Sequence, residues 1–148
     1  MARFIYRMQN ILDLKEKLET QARNEYAVAQ AELNEEEEKL EAIKRRQADY
    51  ERELEKLYNG AINILKIQET LEAIEYMKYQ AELQKLNIRR AEERLDEERE
   101  KLKDAIQERK TQEKLKENAF EVFLEEIKAS EGKEIDELVS YRFGAGQK

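Results

Sequence analysis

Carboxylates are the only side chains here that come near a catalytic inventory. The chain of 148 residues carries 35 Asp and Glu. The run Glu35-Glu36-Glu37-Glu38 sets carboxyls side by side, as a general acid–base pair would require. Such a pair works only where burial or a neighbour tunes one member, and on a long charged helix both stay solvated. There is no His, so no Ser hydroxyl has an imidazole to activate it. There is no Cys, so disulfides and thiolate chemistry are excluded, and with His also missing the usual zinc ligands are gone. No Gly-rich phosphate loop occurs. The chain is read as non-enzymatic, with no cofactor and no metal, working by contact with other proteins.

The elements that would carry such contacts follow from composition and spacing. Charged residues make up 43%, Pro is absent and there are 4 Gly. That bias at helical spacing indicates a coiled coil or long helix. The 28 Lys and Arg leave a net charge of −7. Short basic clusters such as Lys44-Arg45-Arg46 and Arg89-Arg90 are embedded in acid, which speaks against nucleic acid. No apolar run is long enough for a transmembrane span. The first residues turn polar too soon for a signal peptide, so a cytoplasmic protein is expected.

Apolar residues recur at alternating spacings of three and four. Phe4, Met8, Ile11, Leu18 and Ala22 form one frame. Tyr26, Ala29, Leu33, Leu40, Ile43, Tyr50, Leu54 and Leu57 form another. The junction Leu18, Ala22, Tyr26 reads as a stutter. Asn59-Gly60 is the only break near the middle, with Gly60 suited to a left-handed residue past a helix end and Asn63 to an N-cap. The apolar segment that follows, through Lys66, either plugs the turn or is itself recognised. The pattern resumes at Leu71, Ile74, Ala81, Ile88, Ala91, Leu95, Leu102, Ile106, Leu115, Ala119, Val122 and Phe123.

In an antiparallel hairpin, facing residues have numbers with a constant sum. Leu54 with Leu71, Leu33 with Ala91, Ala22 with Leu102 and Ile11 with Leu115 all give about 125, which folds the chain near residue 62. The expected fold is all-α, a long antiparallel two-helix coiled-coil hairpin on the order of 85 Å long. It is a single domain over 1–148, with helix 1 about 4–58, a turn about 59–65, helix 2 about 66–130 and an overhanging tail 131–148. Gly144-Ala145-Gly146 is expected to fray. The tail still holds Ile135, Leu138, Val139, Tyr141 and Phe143 besides Ile127 before it, an unpartnered apolar surface suited to docking. Tyr76, Tyr79, Leu83 and Leu86 make a second stripe that a two-helix seam does not need. Tyr is enriched among interface anchors, so that stripe calls for a partner.

Some stretches are not explained by coiled-coil composition. These are Phe4-Ile5-Tyr6, Met8-Gln9-Asn10-Ile11-Leu12, Ala119-Phe120-Glu121 and Asp136-Glu137-Leu138. Through them the chain resembles, over nearly its whole length, the flagellar export protein FliJ family, particularly its Gram-positive versions. The resemblance implies an antiparallel two-helix coiled coil in the type III export apparatus, similar to the central stalk of rotary ATPases. It implies a protein peripheral to the inner face of the cell membrane at the flagellar base. The implied partners are the flagellar export ATPase hexamer, the cytoplasmic domain of the export gate's membrane protein, and export chaperones. Carried over from the family, the gate contacts fall on Lys39, Ile43, Arg46 and Tyr50 of helix 1 and on Tyr79, Leu83, Leu86 and Arg90 of helix 2. Lys39 and Arg46 depart from the family's apolar character there. The alternatives are the equivalent stalk of a virulence type III secretion system and a homo-oligomeric structural coiled coil.

Overall fold

Uninterrupted helix formers with apolar residues every three or four positions leave the backbone one economical solution, and the chain adopts it. The computed structural model describes residues 3–146, with side chains described for 3–134 and 136–139. Two α-helices, α1 (Gln9–Tyr58) and α2 (Ile64–Gly146), pack against each other, and the described residues hold no strand. The fold is the expected all-α helical hairpin. None of the described helices is long and apolar enough to cross a membrane.

The connection is short and locally satisfied. The amide of Asn59 donates to the Lys56 carbonyl at 3.2 Å, tightening the last turn of α1. That closure removes the need for a left-handed residue, and Gly60, expected to supply one, has no positive φ. Asn63 caps α2 as expected, its Oδ1 accepting from the Lys66 amide at 3.3 Å. Ile62, Ile64 and Leu65 all lie exposed, so the apolar connection does not plug the turn.

Buried and half-buried positions follow one unbroken seven-residue rhythm on each helix. On α1 it runs Leu12, Lys15, Glu19, Ala22, Tyr26, Ala29, Leu33, Glu36, Leu40, Ile43, Gln47, Tyr50, Leu54 and Leu57. The expected stutter is therefore absent. Leu18 is 40% exposed, Met8 and Ile11 also point outward, and Leu12, 3% exposed, takes the seam. Keeping the period through residues 15 and 19 puts Lys and Glu in the seam, which their cross-helix partners make tolerable. On α2 the rhythm runs from Ile67 to Phe123 and takes in Met77, Gln84, Arg109 and Gln112. Leu71, Leu115 and Val122, expected in the seam, are exposed beside it.

The chain divides into two compact units, Met1–Thr20 with Lys103–Lys148, and Gln21–Leu102. In the second, Ala29, Leu33, Ala91 and Leu95 form the buried cluster, with Tyr26 and Ile88 packed on it. Here Glu32 pairs with Arg94 at 3.0 Å and Gln84 donates to the Glu36 carbonyl at 2.8 Å. In the first, Lys15 pairs with Glu108 at 2.9 Å and Glu19 with Arg109. The numbers of these partners sum to between about 120 and 128, as the antiparallel register near 125 requires.

The helix bounds differ from those expected. Residues 4–8 are not helical, and α1 begins at Gln9. α2 does not stop near 130 but continues through Gly132 to Gly146. One Gly in a helix costs only about 1 kcal/mol relative to Ala, too little to end a run of strong helix formers on both sides. Beyond Phe123 only Ile127 and Gly132 are half-buried among the described side chains, and Leu138 and Val139 are exposed. The side chains of Ile135, Tyr141 and Phe143, expected to belong to that docking surface, lie outside the described residues.

Candidate partner-binding surfaces

On α2, residues 76, 79, 83, 86 and 90 share one face because they step by three or four. Seam residues Met77, Ala81, Gln84, Ile88 and Ala91 run alongside. Tyr79 is 60% exposed, Leu83 39% and Leu86 47%, with Tyr76 and Arg90 also open to solvent. Two tyrosines and two leucines thus stand exposed on one helix face while the hairpin's own seam is satisfied without them. The structure brings together Tyr79, Leu83, Leu86 and Arg90 from the residues that the sequence singled out. It places Ile43 and Tyr50 half-buried at seam positions of α1, where they hold the hairpin together. Arg46 is exposed on α1. Lys39 is exposed too and engaged with Glu36 at 3.3 Å.

The seam beneath this stripe has a polar layer. The Gln84 side-chain amide donates to both the carbonyl and the carboxylate of Glu36, and its oxygen accepts from Asn87 at 3.2 Å. Gln84 is buried yet fully satisfied, the condition under which a polar group is tolerated in a seam. The Gln84 hydrogen bond holds the Glu36 carboxyl below the usual carboxylate range, against a smaller opposing push from burial and with help from Lys39.

A second apolar surface lies in the unit that contains the N-terminal segment. Phe4 reaches α2 and meets Phe120 edge-on at 5.1 Å between centroids and Phe123 at 5.3 Å. The segment enters α1 through the Gln9 amide bonding the Tyr6 carbonyl at 3.2 Å. Beside it a shallow groove of about 630 Å³ is lined by Phe4, Ile5, Met8, Leu115, Val122 and Phe123, among others. The Tyr6 hydroxyl is buried there without a hydrogen-bond partner. Further along the same unit, the Arg109 guanidinium bridges Glu113 at 2.9 Å and Glu19. Glu113 and then Glu19 push its proton affinity above the ordinary arginine value.

What the two surfaces offer is apolar contact area. The family model for the flagellar FliJ protein matches residues 4–148. The chain belongs to the FliJ family. Comparisons with curated proteins and with solved structures gave no match. Membership makes this FliJ-family chain a component related to flagellar protein export, in a family whose members are non-catalytic parts of the export apparatus.

The half-buried Glu19–Arg109 pair and the Gln84–Glu36 layer were missed by sequence reasoning. The available signal was the seven-residue period: stepping back from Ala22 by three gives Glu19, and from Glu19 by seven gives Leu12.

Proposed function

We propose that this FliJ-family protein is a stalk-like, non-catalytic link in flagellar export. It binds the export ATPase ring, promotes its assembly, and couples it to the cytoplasmic domain of the export gate's membrane protein at the inner face of the membrane. The reading includes contact with the chaperones that escort late export substrates. The observation that supports it best is the solvent-exposed Tyr76, Tyr79, Leu83 and Leu86 stripe, which the seam leaves unused. Aromatic and aliphatic anchors of this kind concentrate binding energy when a partner desolvates them. The gate-binding residues are Tyr79, Leu83, Leu86 and Arg90, with Arg46 on α1 at the margin. Ile43 and Tyr50 contribute by holding α1 in place.

Mixing the protein with the export ATPase should increase both hexamer formation and ATP turnover. No change in either removes the coupling role. Replacing Tyr79 and Leu83 together by Asp should abolish binding to the gate's cytoplasmic domain while helicity by circular dichroism is kept. Undiminished affinity would move the gate site elsewhere on the chain. Light scattering of the isolated protein tests the homo-oligomeric alternative, for which a stable dimer is required.

A further inference from the structure

In the unit made of residues 1–20 and 103–148, the seam is poor in large apolar side chains. Among the described residues, Leu12 is the one apolar residue there in the buried core. The other seam positions hold Lys15 and Glu19 on α1 and Ala105, Arg109, Gln112, Lys116 and Ala119 on α2, before Phe123 meets Phe4 at the terminal side. An unbroken seven-residue period is degenerate: sliding one helix by seven residues again faces seam positions with seam positions. Small or flexible residues resist such a slide weakly, because they present no knob that fits only one hole. A seven-residue slide is about 10 Å along the helix axis.

We propose that Glu19–Arg109, acting with Lys15–Glu108, is a register lock that selects one helix alignment from those the seven-residue period would admit. Glu19 is 7% exposed and Arg109 reaches it through both Nε and Nη2. A guanidinium holds a carboxylate in a fixed plane, so the pair specifies position as well as charge. Sliding α2 one way sets Leu102 against Glu19 and Lys101 against Lys15. Glu19 loses its cross-helix partner and two cations come face to face. Sliding it the other way sets Lys116 against Glu19 but Leu115 against Lys15. One ion pair is then lost and the forked contact is replaced by a point charge. Each neighbouring register costs at least one of the two pairs its partner, and the forked Glu19–Arg109 contact survives in neither. Buried charge pairs add little net stability over apolar residues of the same size, and selecting one register is their better-attested use.

The chain contains no Cys, so a pair of introduced thiols can be labelled without background. Spin labels at Asn10→Cys and Lys114→Cys, both exposed positions of this unit, should give one narrow distance in the otherwise unaltered protein. Adding Glu19→Leu with Arg109→Leu should keep the helicity and split that distance into two populations, the second longer because the labels no longer face each other. A single narrow distance in the apolar variant would overturn the lock, because the connection and the remaining seam would then fix the register. The charge-swapped variant Glu19→Arg with Arg109→Glu guards against a folding failure of the apolar one. It should restore the narrow distance that Arg109→Glu alone broadens. A swap as broad as the single variant would also overturn the proposal.

Discussion

The two units share one seven-residue pattern and fill it with opposite materials. Between residues 21 and 102 the buried apolar seam is Ala22, Ala29, Leu33, Ile74, Met77, Ala81, Ala91 and Leu95, with Thr70 and Gln84 buried among them and hydrogen-bonded and Glu98 half-buried. In the unit holding the N-terminal segment, Leu12 stands among Lys15, Glu19, Arg109 and Gln112, and three phenylalanines close the terminal side. The first arrangement draws its stability from burial, in proportion to apolar area. The second gains less from burial and more from directional contacts, which define geometry better than they lower free energy. A repeating pattern is thus a geometric constraint, and what occupies it decides whether a stretch is cohesive or merely aligned.

Leu95→Ala should break the cohesive unit most. Removing a buried leucine there should cost about 2–3 kcal/mol, read as a lower midpoint in thermal or urea unfolding. The same truncation at Leu12 should speed amide exchange in residues 9–20 while leaving the exchange of residues 21–102 unchanged. Equally faster exchange in both units would erase the difference between them. Phe4→Ala is next. It removes two aromatic contacts worth about 1 kcal/mol each and should expose the first eight residues to limited proteolysis. Asn63→Ala should cost about 1 kcal/mol through the lost cap of α2, with little change in the terminal aromatic cluster. The smallest effect is on acidification. The Glu36 carboxyl is held below its ordinary value chiefly by Gln84, so its contribution is present above the unfolded carboxylate pKa of about 4.3 and is lost as pH falls through the lower folded value. Glu36→Gln should flatten that part of the profile, with a small loss of stability at neutral pH and none in acid below the folded value.

The hairpin, its antiparallel register and the Asn63 cap were legible because they rest on residue types whose roles do not depend on partners. From Tyr26 to Leu57 every apolar seam position is conspicuous, and the frame read there is the observed one. The frame failed at Leu18 because an exposed leucine looks like a better seam residue than Glu19. Only a known register reveals that Arg109 waits opposite. The helix beyond Gly132 was misread for a related reason: a glycine signals an end, but its cost is small beside the helix propensity of the residues around it. The exposed Tyr79, Leu83 and Leu86 were legible as a surplus, since the seam could be counted and they were left over. The half-buried placement of Ile43 and Tyr50 needed the structure, because their spacing serves the seam as well as a partner.

The stripe has a timing of its own. Tyr76, Leu83 and Arg90 are seven residues apart, and so are Tyr79 and Leu86. A straight α-helix drifts by about 20° per heptad relative to that repeat, and helices coil left-handed around each other to cancel the drift. The stripe therefore keeps a constant phase with the seam and winds with it like a second thread on the same screw. Inserting a single residue between Leu83 and Leu86 would rotate the later part of that thread by a quarter turn or more, so it tolerates substitution far better than a change of length.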